Sequence, residues 1–123
     1  MDRTVGFRVV GGGKSFRIEN RMPGADANPY LAFAATLAAG MAGIEENLDC
    51  GDAHVGNAYT DAKLPALPSS LDEAAENFRK SKLAQRAFGE EVVEFYAHHA
   101  ALECRAFANS VTDWEMRRYF ERI

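Results

Sequence analysis

Apolar residues follow two different rhythms along this chain, and the change of rhythm marks its organisation. From Thr4 to Val10 the residues are β-branched and aromatic with partial alternation; Gly11-Gly12-Gly13-Lys14-Ser15 interrupts them, and Phe16 to Arg21 resumes a period of two. The pattern predicts a β-hairpin. Alternation puts Phe16 and Ile18 on one face of its second strand and Arg17, Glu19 and Arg21 on the other. After the turn residues 22–27, Asn28-Pro29 supplies an N-cap and a proline at the first helical position. No charged residue occurs from Tyr30 to Ile44, so the helix expected there is apolar on all sides and should be buried all round. About sixteen residues reach roughly 24 Å, short of a hydrocarbon core of about 30 Å, which argues against a membrane span. Its many alanines and glycines favour close packing inside a protein.

Residues 47–69 show no clear period and predict a long connection that needs a role or a surface to lie on. Ser70-Leu71-Asp72-Glu73 reads as a capping box opening a helix to about Lys80. After Gly89, Glu90 to Asn109 reads as a long amphipathic helix, and Thr112-Asp113-Trp114-Glu115 as a second capping box starting a terminal helix through Phe120. The expected fold is α+β and mainly helical: an N-terminal β-hairpin followed by about four helices. A chain of 123 residues suffices for one small core, so residues 1–123 are expected to form a single domain.

Charge changes the picture at the hairpin. Residues 1–27 carry five basic and three acidic side chains, whereas the remainder carries nine basic and fifteen acidic, for a net charge of −4. A small basic front on an acidic body suits a locally held anion; nucleic acid, which wants a broader basic patch, is not an expected partner. The two cysteines, Cys50 and Cys104, form no disulfide framework, and no leader pattern opens the sequence, so a reducing, cytoplasmic setting is expected.

Few constellations carry chemistry. Gly11-Gly12-Gly13-Lys14-Ser15 resembles the end of a phosphate-binding P-loop, but Arg8 stands where the first glycine belongs and a strand, not a helix, follows. Arg17-Ile18-Glu19-Asn20-Arg21 is sharper: one carboxylate between two guanidinium groups, with Arg8 on the neighbouring strand. Two readings stand side by side. One is a solvated, ion-paired strand face; the other is an anion site in which arginines grip phosphate or carboxylate oxygens and Glu19 takes a hard cation. One glutamate is a sparse ligand set for magnesium. His98 and His99 lie on different helix stripes and read as surface residues, Asp52-Ala53-His54 is a weak metal pattern, and the cysteines read as structural thiols. No nucleophile elbow or cysteine-histidine signature occurs.

The combination of Phe16-Arg17-Ile18-Glu19-Asn20-Arg21, Pro23-Gly24-Ala25-Asp26-Ala27-Asn28-Pro29-Tyr30-Leu31 and the Ala/Gly-rich helix to Ile44 resembles the C-terminal part of the glutamine synthetase superfamily catalytic domain. The rest of the chain is similar to its γ-glutamylpolyamine synthetase branch. The resemblance implies an ATP-dependent glutamate-ammonia or glutamate-amine ligase working through a γ-glutamyl phosphate. It matches Glu19 to a ligand of Mg2+ or Mn2+, Arg21 to an arginine that engages glutamate, and Arg3 to a catalytic, substrate-binding arginine near the glutamyl-phosphate centre. Arg8, Lys14 and Arg17 match basic positions on the nucleotide side. Family members are several times longer, with an N-terminal β-grasp domain, so the resemblance implies a fragment that is inactive alone. In the full-length enzyme a homo-oligomer acting on glutamate, ATP and ammonia or an amine is expected, with no membrane partner. The alternative is a catalytically inactive remnant serving as an interaction or scaffold module.

Overall fold

The computed structural model describes residues 3–122 and divides the chain into two compact units, residues 1–67 and 68–123. The first unit begins with strands β1 (Phe7–Val10) and β2 (Arg17–Asn20), which pair antiparallel as the period of two predicts. The register sets Arg8 opposite Glu19 and Val9 opposite Ile18. Both strands are shorter than the sequence pattern suggests. Between them the chain turns through a single 3-10 turn, Gly13–Ser15, whose Ser15 hydroxyl donates to the Gly12 carbonyl at 2.9 Å. Gly11 enters that turn at φ +81°, and a Cβ there would lie 2.1 Å from the Ser15 carbonyl oxygen, so only glycine fits without the turn opening.

Helix α1 (Pro29–Glu45) starts as the Asn-Pro pair predicts: the Asn28 side chain accepts from the Tyr30 and Leu31 amides at 3.0 and 3.3 Å. Its burial differs from the expectation of a helix enclosed all round. Ala42 is 5% exposed, while Tyr30, Phe33, Leu37, Met41 and Ile44 are 59–82% exposed. The described residues cover only the flank that carries Ala42 and the partly buried Ala32, Thr36 and Gly43. Thr36 joins this flank to β2, its hydroxyl accepting from the Asn20 side-chain amide at 2.9 Å and donating to the Ala32 carbonyl at 2.7 Å.

The long connection after α1 does have a surface to lie on. The Ala58 amide donates to the Thr4 hydroxyl at 2.7 Å, beside a 3-10 turn at Ala58–Thr60. The segment thereby closes a mainly apolar cleft of about 740 Å3 against residues 4–7.

The second unit is helical: α2 (Leu71–Lys80), α3 (Lys82–Phe88), α4 (Glu90–Ala108) and α5 (Asp113–Tyr119). The Ser70 hydroxyl caps α2 through the Glu73 amide, but the return bond of the predicted box goes elsewhere, Glu73 accepting from the Ser69 amide at 2.9 Å. The box at Thr112 and Glu115 forms in both directions. Sequence periodicity did not anticipate α3, a seven-residue helix capped by Ser81 and ended by Gly89 at φ +84°. α2 and α3 both pack on α4, whose Val93 and Ala97, one turn apart, are buried, as is Ala84 of α3. Arg79 of α2 bridges to Glu94 of α4 at 3.1 Å.

Candidate functional site

The hairpin collects most of the residues singled out from the sequence. Because Arg8 and Glu19 are register partners, their side chains leave the same face of the sheet, and the Arg8 Nη1 donates to Glu19 Oε2 at 3.0 Å. Two residues back along β2, Arg17 Nη2 donates to the other carboxylate oxygen at 3.4 Å. One carboxylate thus sits between two guanidinium groups, as the alternation of the strand requires. Arg17 also reaches the Ser15 carbonyl at 3.3 Å, tying the row to the turn that carries the exposed Lys14.

Arg21 extends the row beyond the end of β2. Its amide donates to the Gly6 carbonyl at 2.8 Å, which prolongs the pairing, and its Nε donates to the Arg3 carbonyl at 3.2 Å. Arg3 and Arg21 therefore meet at the base of the hairpin, while Arg8, Glu19 and Arg17 occupy its middle and Lys14 its tip. Successive side chains on one strand face lie about 7 Å apart, so Glu19 is flanked along β2 by Arg17 and Arg21 and is met from the neighbouring strand by Arg8.

The electrostatics follow from the geometry. The hydrogen bond from Arg8 holds the Glu19 carboxyl below its ordinary value of 4.5, the charges of Arg8, Arg17 and Arg21 pull the same way, and partial desolvation opposes them. Glu19 is the one carboxylate in either strand. Among the described residues, no three His, Cys, Asp or Glu side chains converge to hold a metal ion. A single glutamate beside arginines fits a hard cation that takes its other ligands from phosphate oxygens and water, and does not fit a cage made by this chain alone.

Other candidates lie apart from this row. His54 pairs with Asp61 at 3.3 Å rather than with Asp52, a contact hidden from sequence reasoning because it spans seven residues of aperiodic loop. His98 and His99 are exposed on α4, with His99 3.9 Å from Glu103. Cys50 is exposed and Cys104 partly buried, both as free thiols. Among the described residues no helix is long and apolar enough to cross a membrane. Asn20 is the residue that pattern reading passed over: it lies between Glu19 and Arg21 and fastens them to α1. A polar side chain on the hairpin's apolar face was its only sequence signal.

Comparison with known proteins places the chain in context. The profile of the glutamine synthetase catalytic domain matches residues 1–119. The chain is 52% identical over 122 residues to gamma-glutamylethanolamide synthetase of Streptomyces coelicolor, covering 99% of this chain and 26% of that protein. It is 43% identical over 125 residues to a glutamate–isopropylamine ligase of a Pseudomonas species, covering 99% and 27%. A glutamine synthetase of Thermotoga maritima is 36% identical over 114 residues, covering 87% and 26%. The chain spans about a quarter of the length of these relatives.

Proposed function

We propose, on the premise that this chain belongs to the glutamine synthetase family as the C-terminal part of its catalytic domain, that it forms the nucleotide-facing wall of an ATP-dependent ligase. The ligase joins the γ-carboxylate of glutamate to ammonia or a small amine. One observation carries the reading: Glu19 lies between Arg8 and Arg17, with Arg21 continuing the row. The names of two relatives, an ethanolamide synthetase and an isopropylamine ligase, favour a small alkylamine as the acceptor.

In this reading Arg8, Lys14 and Arg17 bind the phosphates of ATP, and Glu19 is a ligand to Mg2+ or Mn2+. Arg21 and Arg3 hold glutamate, Arg3 nearest the reacting carboxylate. A glutamate γ-carboxylate oxygen attacks the terminal phosphorus and ADP leaves; the amine then attacks the acyl carbon, phosphate departs and the amine nitrogen loses a proton. Both steps move negative charge among oxygens, so fixed guanidinium groups assist them without any covalent nucleophile. The divalent ion, when bound, supplies further charge neutralisation on the phosphate oxygens. With one carboxylate on the hairpin strands to offer a metal, the 123 residues alone are inactive in ligation, and the working enzyme is a larger, homo-oligomeric protein of a reducing compartment.

The test is a chimera in which residues 1–119 replace the matching part of the Streptomyces relative, assayed for Mg2+- and ATP-dependent γ-glutamyl transfer to ammonia, ethanolamine and isopropylamine. Transfer to at least one acceptor is expected, with Glu19→Ala lowering kcat/KM by about two orders of magnitude. A folded chimera that turns over no ATP, or one indifferent to Glu19→Ala, overturns the reading.

A further inference from the structure

Asn20 is the one uncharged polar residue in the two hairpin strands, and both ends of its side-chain amide are engaged. Its Oδ1 accepts from the Met22 amide at 3.1 Å, and its Nδ2 donates to the Thr36 hydroxyl of α1 at 2.9 Å. The first bond closes a side-chain turn around Arg21, because an asparagine oxygen that captures the amide two residues on bends the chain as a backbone turn would. The second fixes where that amide group points, since the Thr36 hydroxyl is itself held by the Ala32 carbonyl at 2.7 Å. Arg21 lies beyond the end of β2, yet its main chain is gripped. Its own amide donates to the Gly6 carbonyl at 2.8 Å, and the residues on either side of it are joined by the Asn20 side chain. From this fixed base its Nε donates to the Arg3 carbonyl at 3.2 Å, while the residue stays exposed.

A merely stabilising role accounts poorly for this arrangement. A neutral hydrogen bond contributes only about 1 kcal/mol net, so an aliphatic pair of similar shape at positions 20 and 36 would fill the same space at little cost. What a fully satisfied amide adds is direction. Only a carboxamide serves both contacts: aspartate would keep the acceptor without the donor, and leucine would keep neither. We propose that Asn20, seated on Thr36, is the positioning residue that aims Arg21 at an anionic substrate group, the glutamate carboxylate of the ligase reading on which this inference rests. Without the Thr36 link Arg21 keeps its charge and loses its aim, so glutamate binding suffers while the nucleotide side, assigned to Arg8, Lys14 and Arg17, does not.

The experiment places three substitutions in the chimera that carries residues 1–119: Thr36→Val, which has the shape of threonine without its hydroxyl, Thr36→Ser, which keeps the hydroxyl, and Asn20→Leu. KM for glutamate is expected to rise about tenfold in Thr36→Val and Asn20→Leu, with kcat and KM for ATP changing less than about twofold. In Thr36→Ser it should stay at the parent value. A purely structural role would lower kcat through loss of folded enzyme at an unchanged KM, and that result overturns the proposal, as does a KM for glutamate indifferent to Thr36→Val. A parent chimera that turns over no ATP sinks the ligase reading, and nitrogen-15 NMR of the full 123-residue chain in mildly acidic solution then tests the positioning by itself. The Arg21 Nε–H should exchange slowly with water, lose that protection in Thr36→Val and keep it in Thr36→Ser. Equal exchange in all three proteins overturns the proposal.

Discussion

Arg8 and Arg17 hold one oxygen each of the same carboxylate, which leaves Glu19 ionised over the whole neutral range. The sign of its pH effect follows from the direction of its shift. A carboxyl whose folded pKa lies below its ordinary value of 4.5 contributes stability that is present above that value and is lost as pH falls through the lower, folded one. Titration of the chain with Mg2+ and ATP should therefore give an affinity that Glu19 leaves flat from pH 8 to about pH 5, and that fails only in more acidic solution. In Glu19→Gln the acid-side loss should vanish and the affinity at pH 7 should already be low. A calorimetric pH series on both proteins checks this. The alternation of Arg17, Glu19 and Arg21 was readable from the sequence because side chains in a strand have a period of two. That Arg8 is the direct partner of Glu19 required the register, which is set by the turn and not by composition.

The elements divide along the same line. Caps and amphipathic periods are local, and so Asn28, Thr112 and the span of α4 are legible in the sequence. Helix α3 was not, since seven residues offer too few apolar positions to establish a period, although Ser81 and Gly89 mark its two ends. The bond from Asn20 to Thr36 was invisible because it spans sixteen residues between a strand and a helix. The turn linking β1 and β2 has the clearest energetic consequence. Gly11→Ala combines a left-handed φ of +81° with a Cβ placed 2.1 Å from the Ser15 carbonyl oxygen, and should cost about 1 kcal/mol or more. The measurement is urea unfolding of the chain. Since Ser15 also accepts from Arg17, the same substitution should weaken phosphate binding even where folding survives.

At the scale of the molecule, 47% of the residues are hydrophobic, yet the buried set among the described residues is Val10, Ala42, Ala84, Val93 and Ala97. That core is made of small side chains, while Phe33, Leu37, Phe95, Phe107, Trp114 and Phe120 stay largely exposed. The expectation of an enclosed α1 came from the sequence alone, and the reason it does not hold within these residues is that enclosure depends on atoms the pattern does not contain. A chain with this surface should bind an environment-sensitive hydrophobic dye strongly while keeping its far-ultraviolet helical signal, and dye fluorescence should fall in Phe33→Glu. Equal fluorescence in both proteins would mean that α1 contributes little to the accessible apolar surface.

The amide of Asn20 turns the first unit into something like a lever. It grips Thr36 near the midpoint of α1, and the backbone of Asn20 adjoins the glutamate and the arginine whose side chains face the opposite way. The neutral helix and the charged side of the sheet are therefore a single residue apart.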